Sequence, residues 1–290
     1  MAEIQYAAPA TVAAAVKALD AAKGKAKVLA GGTDLLVQLR AGRVKAQTLI
    51  DIKHIPELRK IKKDRGGFRV GAAVSGAELG EDDDFRATWP GVLEGLELIG
   101  STQIQGRASL GGNLCNGSPA ADSVPGMIAA GATATIAGPK GTREVKVEDV
   151  ITAPGKTSLK PGEFVVSINL PKRAKRSGDA YLRFIPRTEM DIAVVGAAVN
   201  LTLDAKGVCT DARVSLGAVA PRPLLVKAAA KALIGTKIDD AALDALAAAA
   251  SAACNPIDDK RGTVEFRTKV AGVLTRRAAL IALERARKNA

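Results

Sequence analysis

The sequence has one histidine, three cysteines, one tryptophan, two tyrosines and five phenylalanines in 290 positions. Each scarcity removes a class of function. His54 follows the apolar run Thr48-Leu49-Ile50-Asp51-Ile52 and has no identifiable partner, so no Ser-His-Asp or Cys-His arrangement can be built on it. It reads as a structural residue. Cys115, Cys209 and Cys254 are widely spaced, with no Cys-x-x-Cys pair, which argues against zinc or an iron-sulfur cluster within this chain. Reduced thiols are expected, with Cys115 a small buried residue. The aromatics, 3% of the chain and scattered along it, offer no platform for stacking bases, which weakens the nucleic-acid reading that a net charge of +12 invites.

Long apolar runs are missing as well. The most apolar stretch, Ala241 to Cys254, is interrupted by Asp244 and too short to cross a bilayer. The opening Met1-Ala2-Glu3-Ile4-Gln5-Tyr6 has no basic region leading into an apolar core, so no secretory signal is read and a cytoplasmic location is expected. The basic excess gathers late, at Arg267, Lys269, Arg276, Arg277, Arg285, Arg287 and Lys288, as a solvated helix face or an interface for an acidic partner.

What the chain does have is two glycine loops about 80 positions apart. In the first, Lys27-Val28-Leu29-Ala30 reads as a short buried strand and Leu35 to Arg40 as a helix, with Gly31-Gly32-Thr33-Asp34 between them. Thr33 or Asp34 would cap that helix, the Asp34 carboxylate pointing away from any phosphate at its amides. The spacing is neither a P-loop nor a Rossmann fingerprint, and a plain strand-to-helix turn is the alternative. The second loop runs from Ser101 to Asp122 through Ala108-Ser109-Leu110-Gly111-Gly112-Asn113, too long for an ordinary connection. Ser109 and Asn113 can donate to phosphate oxygens, and Asp122 can accept from ribose or cap the next helix. Together the loops suggest a dinucleotide held between two lobes.

The motifs Ala-Gly-Gly-Thr-Asp-Leu-Leu at Ala30 and Gly-Gly-Asn-Leu-Cys-Asn-Gly-Ser-Pro-Ala-Ala-Asp at Gly111 make the chain similar to the FAD-binding medium subunits of molybdenum hydroxylases. These include the flavoprotein subunits of xanthine dehydrogenase-like and aerobic carbon monoxide dehydrogenases. Arg187 to Val195 and Phe266 through Ala278 extend the resemblance over nearly the whole chain. It implies an α+β chain: a two-subdomain p-cresol methylhydroxylase-type FAD-binding fold, then a small C-terminal domain of antiparallel sheet plus helices. It implies noncovalent FAD here, with molybdopterin and iron-sulfur clusters only in large and small partner subunits, as a dimer of heterotrimers. Carried over by position, Ala30, Gly31, Gly32, Thr33, Asp34 and Leu35 would line the pyrophosphate. Ser109, Gly111, Gly112 and Asn113 would meet phosphates and ribitol, and Asp122 the adenosine ribose.

Val165 matches a flavin-edge position, and Arg183 stands where animal relatives have a lysine reaching the isoalloxazine carbonyl. Ile192 stands where a side chain covers the ring, a tyrosine in carbon monoxide dehydrogenases. Ile99 replaces a phenylalanine of animal relatives, so stacking there is lost. For Arg183 and Arg187, surface ion pairs with Glu189 or Asp191 are the alternative. Chemistry must then come from the flavin, with the protein binding, orienting and tuning it for electron relay to NAD, a quinone or oxygen. The competing readings are a self-contained FAD-dependent reductase or oxidase of the same fold, and a basic nucleic-acid-binding or scaffold protein.

Three units follow from the pattern. Residues 1–55 form a β-α-β unit whose helix runs from Thr11 to Ala22. Residues 56–175 hold strands at Phe68 to Ala72, Ala132 to Ala137, Glu144 to Val147 and Phe164 to Leu170, with a helix from Val92 to Ile99 and the long loop. Residues 176–290, after a linker from Pro171 to Gly178, hold a hairpin turning at Asp204-Ala205-Lys206-Gly207. Helices over 223–233, 239–253 and 263–287 complete this unit, the last broken near Gly272.

Overall fold

The computed structural model describes residues 4–64 and 66–289. The first unit is a small parallel sheet built from β1 (Gln5–Ala7), β2 (Ala26–Leu29) and β3 (Thr48–Asp51), in the order β1-β3-β2. Its helices are α1 (Val12–Ala21) and α2 (Leu35–Arg40). Helix α1 starts where the Thr11 hydroxyl accepts a hydrogen bond from the Ala14 amide, and it buries Ala15 and Leu19 against the core. Helix α2 is different: none of its residues is buried, although four of six are apolar.

The second unit carries β4 (Ile61–Asp64) and β5 (Gly67–Gly71), then a series of short helices. These are α3 (Gly76–Gly80), α4 (Asp83–Thr88), α5 (Pro90–Glu97), α6 (Thr102–Gln105), α7 (Leu110–Cys115) and α8 (Ser123–Ala129). Strands β6 (Thr133–Gly138), β7 (Gly141–Lys146), β8 (Ile151–Ala153), β9 (Lys156–Thr157) and β10 (Phe164–Pro171) follow. Five of these strands make an antiparallel sheet in the order β4-β5-β10-β6-β7. Central strand β10 is buried along most of its length, as its Val-Val-Ser-Ile-Asn-Leu run requires, and the register slips between Val165 and Ser167 where it pairs with β6. The segment expected as one long loop is folded into α6 and α7. Short helices satisfy backbone groups that an irregular buried loop would leave unpaired.

The third unit is a four-stranded antiparallel sheet, β11 (Ser177–Phe184), β12 (Val195–Leu203), β13 (Cys209–Gly217) and β14 (Leu224–Leu225). It is covered by α9 (Lys227–Leu233), α10 (Asp240–Ala252) and α11 (Val264–Lys288). The expected hairpin is β12 and β13, with the Asp204 carboxylate accepting from the Lys206 and Val208 amides at 2.8 Å each. Helix α11 runs unbroken through Gly272, contrary to the break expected there. A side chain at that glycine would meet Ser251 Oγ at 2.6 Å and the Ala247 carbonyl oxygen at 2.9 Å, so the glycine lets α10 and α11 approach closely.

One apolar core joins the first two units and a second fills the third. Strand β11 fastens the third unit to the second: Asp179 accepts from the Gly91 amide at 2.9 Å and from Arg173, and the Tyr181 amide donates to Glu94 at 2.8 Å. Among the described residues, no helix is long and apolar enough to cross a membrane.

Candidate functional site

The two glycine loops face each other across one cleft of about 730 Å3 between the first and second units. Ala30, Gly31, Gly32, Thr33, Asp34 and Leu35 form one wall, and Ser109, Gly111, Gly112 and Asn113 the other. Ile99 and Val165 also line it, with Phe164 and the segment from Leu159 to Glu163. Volume and mixed lining are those of a small-molecule site.

The glycines have separate reasons. A side chain on Gly31 would overlap the Arg107 carbonyl oxygen, and one on Gly111 would meet Ala72 at 2.8 Å. These two are small because the polypeptide itself comes close, not only to admit a ligand. Gly32 has a φ of 78°, a left-handed conformation that disfavours any side chain. Of the paired glycines, Gly112 is the one with open space at its missing Cβ: outside the backbone of its own helix, Ser109 Oγ at 3.1 Å is the one neighbour within 4 Å.

Backbone donors are left over at the loop. Among the described residues, the amides of Gly31, Gly32, Thr33 and Asp34 have no backbone acceptor. Unpaired amides ahead of a helix are suited to a phosphate. Charge agrees, because Lys27, Arg43 and Lys160 in the cleft wall have no ion-pair partner among the described residues, while Glu163 is matched by Arg143 at 2.7 Å. Asp34 does not cap α2 as expected: its backbone is helical, with φ −97° and ψ −48°, and its carboxylate bonds no helix amide. Partial desolvation by the surrounding protein raises its pKa, opposed by the neighbouring Asn116 side chain.

Ser109 is fixed before any ligand arrives. Its hydroxyl donates to the Ala72 carbonyl at 2.8 Å and accepts from the Gly112 amide at 3.0 Å, capping α7, so its proton is committed within the protein. Asn113 Oδ1 likewise accepts from the Ser123 amide and hydroxyl at 3.2 and 2.7 Å. Cys115, expected to be buried, is exposed on the cleft wall. Desolvation by the surrounding protein raises the pKa of its thiol.

Three residues expected at the site do not line the cleft. Asp122 is buried at 8% exposure, accepting from Tyr181 Oη at 3.0 Å and Arg183 Nη1 at 2.9 Å. It precedes α8 without capping it. Arg183 is neither in the cleft nor in a surface pair: besides Asp122 it donates to the Leu98 carbonyl at 2.8 Å. Ile192 is exposed outside the cleft, beside Asp191, which pairs with Arg187 at 3.3 Å and Arg261 at 3.2 Å.

Other residues came from the structure alone. Gln38 Nε2 donates to Asn116 Oδ1 at 2.9 Å, joining the two walls. Gln38 lies four positions after Asp34, on the same helix face, a spacing visible in the sequence. Beneath the first loop, Lys53 Nζ bonds the Ala30 carbonyl and both Asp51 carboxylate oxygens. Burial favours the neutral Asp51 carboxyl, but bonds from Lys53 and Tyr6 prevail and hold its pKa below the usual carboxylate value. No sequence signal marks that cluster.

The comparisons agree with a dinucleotide cleft. Residues 2–173 match the family described as FAD binding domain in molybdopterin dehydrogenase, and residues 180–282 the CO dehydrogenase flavoprotein C-terminal domain. The chain is 35% identical to the carbon monoxide dehydrogenase medium chain of Afipia carboxidovorans, covering 98% of this chain and 97% of that one. It is 31% identical to the putative xanthine dehydrogenase FAD-binding subunit of Escherichia coli, over 94% of this chain and 93% of that one. A solved structure of carbon monoxide dehydrogenase from Hydrogenophaga pseudoflava superposes with a TM-score of 0.93, at 33% identity and 98% coverage of both chains. Free loop amides, an open Gly112 and unpaired cations fit FAD as the cofactor of this oxidoreductase subunit. A parallel first sheet, an antiparallel second sheet and a third antiparallel sheet under helices, with the two glycine loops meeting between the first two, place this chain in the family of FAD-binding medium subunits of molybdenum hydroxylases.

Proposed function

We propose that the chain is the electron-transfer subunit of a cytoplasmic molybdenum hydroxylase, where bound FAD supplies passage of electrons from a partner's iron-sulfur clusters to NAD, a quinone or oxygen. The partners are a small iron-sulfur subunit and a large molybdopterin subunit, paired as a dimer of heterotrimers. Within the chain, residues 1–55 and 56–175 act as the two halves of the cofactor-binding part and 176–290 as the C-terminal domain.

The observation that carries this reading is the meeting of both glycine loops in one cleft with unpaired amides on the first. Amides from Gly31 to Asp34 hold a pyrophosphate, and Gly112 leaves room on the opposite wall. Ile99 and Val165 supply apolar lining, and Gln38 with Asn116 bridges the walls. Asp122 and Arg183 act behind the cleft by fixing α8 against β11. Ile192, exposed beside the Arg187–Asp191–Arg261 cluster, is available to a neighbouring subunit.

Purification from the native host tests the whole reading. Two further subunits should accompany the chain, with molybdenum, iron and acid-releasable FAD in the same fraction. A colourless protein that cannot be reconstituted with FAD, free of both metals and alone in solution, would contradict it.

A further inference from the structure

Lys53 lies just beyond β3, and its ammonium donates to the Ala30 carbonyl at 2.9 Å and to the two Asp51 oxygens at 2.7 and 2.8 Å. Asp51 is itself anchored, at 3% exposure, by Tyr6 Oη at 2.7 Å and by the Lys53 amide at 2.9 Å. The ammonium is therefore held at both ends, between a fixed carboxylate and the last carbonyl before the paired glycines. Lys53 is absent from the cleft lining, whereas Ala30 and Gly31 are part of it.

A trans peptide places its carbonyl and its N–H on opposite sides of the chain. Holding the Ala30 carbonyl on the Lys53 side therefore directs the Gly31 N–H, which belongs to the same peptide plane, the other way. That amide has no backbone acceptor among the described residues. Glycine has no side chain to resist rotation of this plane, so the orientation needs an outside hold.

We propose that Lys53 is a positioning residue that turns the Gly31 amide into the cleft to receive the pyrophosphate of FAD. This rests on the reading that the pyrophosphate lies at the first loop. Asp51 and Tyr6 serve it by fixing the ammonium.

The test uses the full-length protein with its accompanying subunits, stripped of FAD and titrated with FAD by flavin fluorescence. Lys53→Met should raise the Kd about tenfold, equivalent to about 1.4 kcal/mol, and Lys53→Arg should restore most of the affinity. The 31P resonances of bound FAD should move in Lys53→Met and stay near their wild-type positions in Lys53→Arg. Because Lys53→Met leaves a buried carboxylate unpaired, the double variant Asp51→Asn/Lys53→Met provides a form without that charge, and it should lose affinity by a similar factor. Folded variants that bind FAD within twofold of wild type with unchanged 31P spectra overturn the assignment alone. Wild-type protein that takes up no FAD overturns the pyrophosphate reading and this assignment with it.

Discussion

Gln38 and Asn116, 78 positions apart, are joined by a 2.9 Å hydrogen bond between the two walls of the cleft. Both lie in its lining, one on α2 of the first unit and the other just after α7 of the second. A neutral side-chain bond of this kind contributes about 1 kcal/mol. Gln38→Leu should therefore speed FAD release about fivefold and lower the stability of the free protein by no more than about 1 kcal/mol, since Gln38 is only half-buried. Stopped-flow fluorescence during FAD release reads the rate. An unaltered rate would show that the bridge does not hold the walls.

Asp122 and Arg183 give a pH signature. Burial lifts the Asp122 carboxyl to about 6, outweighing Arg183 and the hydrogen bond from Tyr181. The unfolded chain releases this proton near pH 4, before the folded one does. The contribution to stability is thus complete below about pH 4 and is lost as pH rises through about 6, by roughly 2–3 kcal/mol. Asp122→Asn should flatten this part of the profile in urea titrations between pH 4 and 8. Asp122→Ala leaves Arg183 buried without its carboxylate, and near neutral pH should cost about 3–5 kcal/mol.

The legible parts of the fold were those whose own residues carry the pattern. Strand β12 alternates Val195, Ala197, Val199, Leu201 and Leu203, and the Asp204 turn follows it. Strand β11 was hidden because its first residues, Ser177 and Gly178, end the basic Pro171 to Gly178 stretch that reads as a linker. Its burial rests largely on distant partners: the Gly91 amide, with nearby Arg173, satisfies Asp179, and Leu98 with Asp122 satisfies Arg183. Glycine loops announced close approach, but not what approaches. The Arg107 carbonyl against Gly31 and the Lys53 ammonium beneath Ala30 are meetings of segments far apart in sequence, and no local spacing encodes them.

Gly31 and Gly112 should therefore respond differently to alanine. Gly31→Ala forces its Cβ into the Arg107 backbone, which is not a flexible side-chain end, so the loops must separate. Overpacking of that kind costs about 1–3 kcal/mol and should weaken FAD binding along with stability. Gly112→Ala lies within α7, where alanine is favoured by about 1 kcal/mol over glycine, offset by a small displacement of Ser109 Oγ. It should leave the unfolding midpoint close to wild type yet lower FAD affinity at least tenfold, because the added methyl occupies the cleft. Paired thermal melts and FAD titrations separate the two. Equal behaviour of the variants in both assays would refute the distinction.

Gly272 presents the same competition inside a helix. Alanine there gains about 1 kcal/mol of helix propensity. Its Cβ, however, would lie 2.6 Å from Ser251 Oγ and 2.9 Å from the Ala247 carbonyl oxygen, and Ser251 is held in place by a 3.0 Å bond to the Thr268 carbonyl. Separating two packed helices costs about 1–3 kcal/mol, so the net effect should be destabilising by up to about 2 kcal/mol. Ser251→Ala removes the nearer obstacle but not the backbone oxygen. The double variant should therefore be more stable than the sum of the single changes by about 0.5–1 kcal/mol, a coupling that urea unfolding of the four proteins can resolve. Strict additivity would mean that the carbonyl alone sets the distance between α10 and α11.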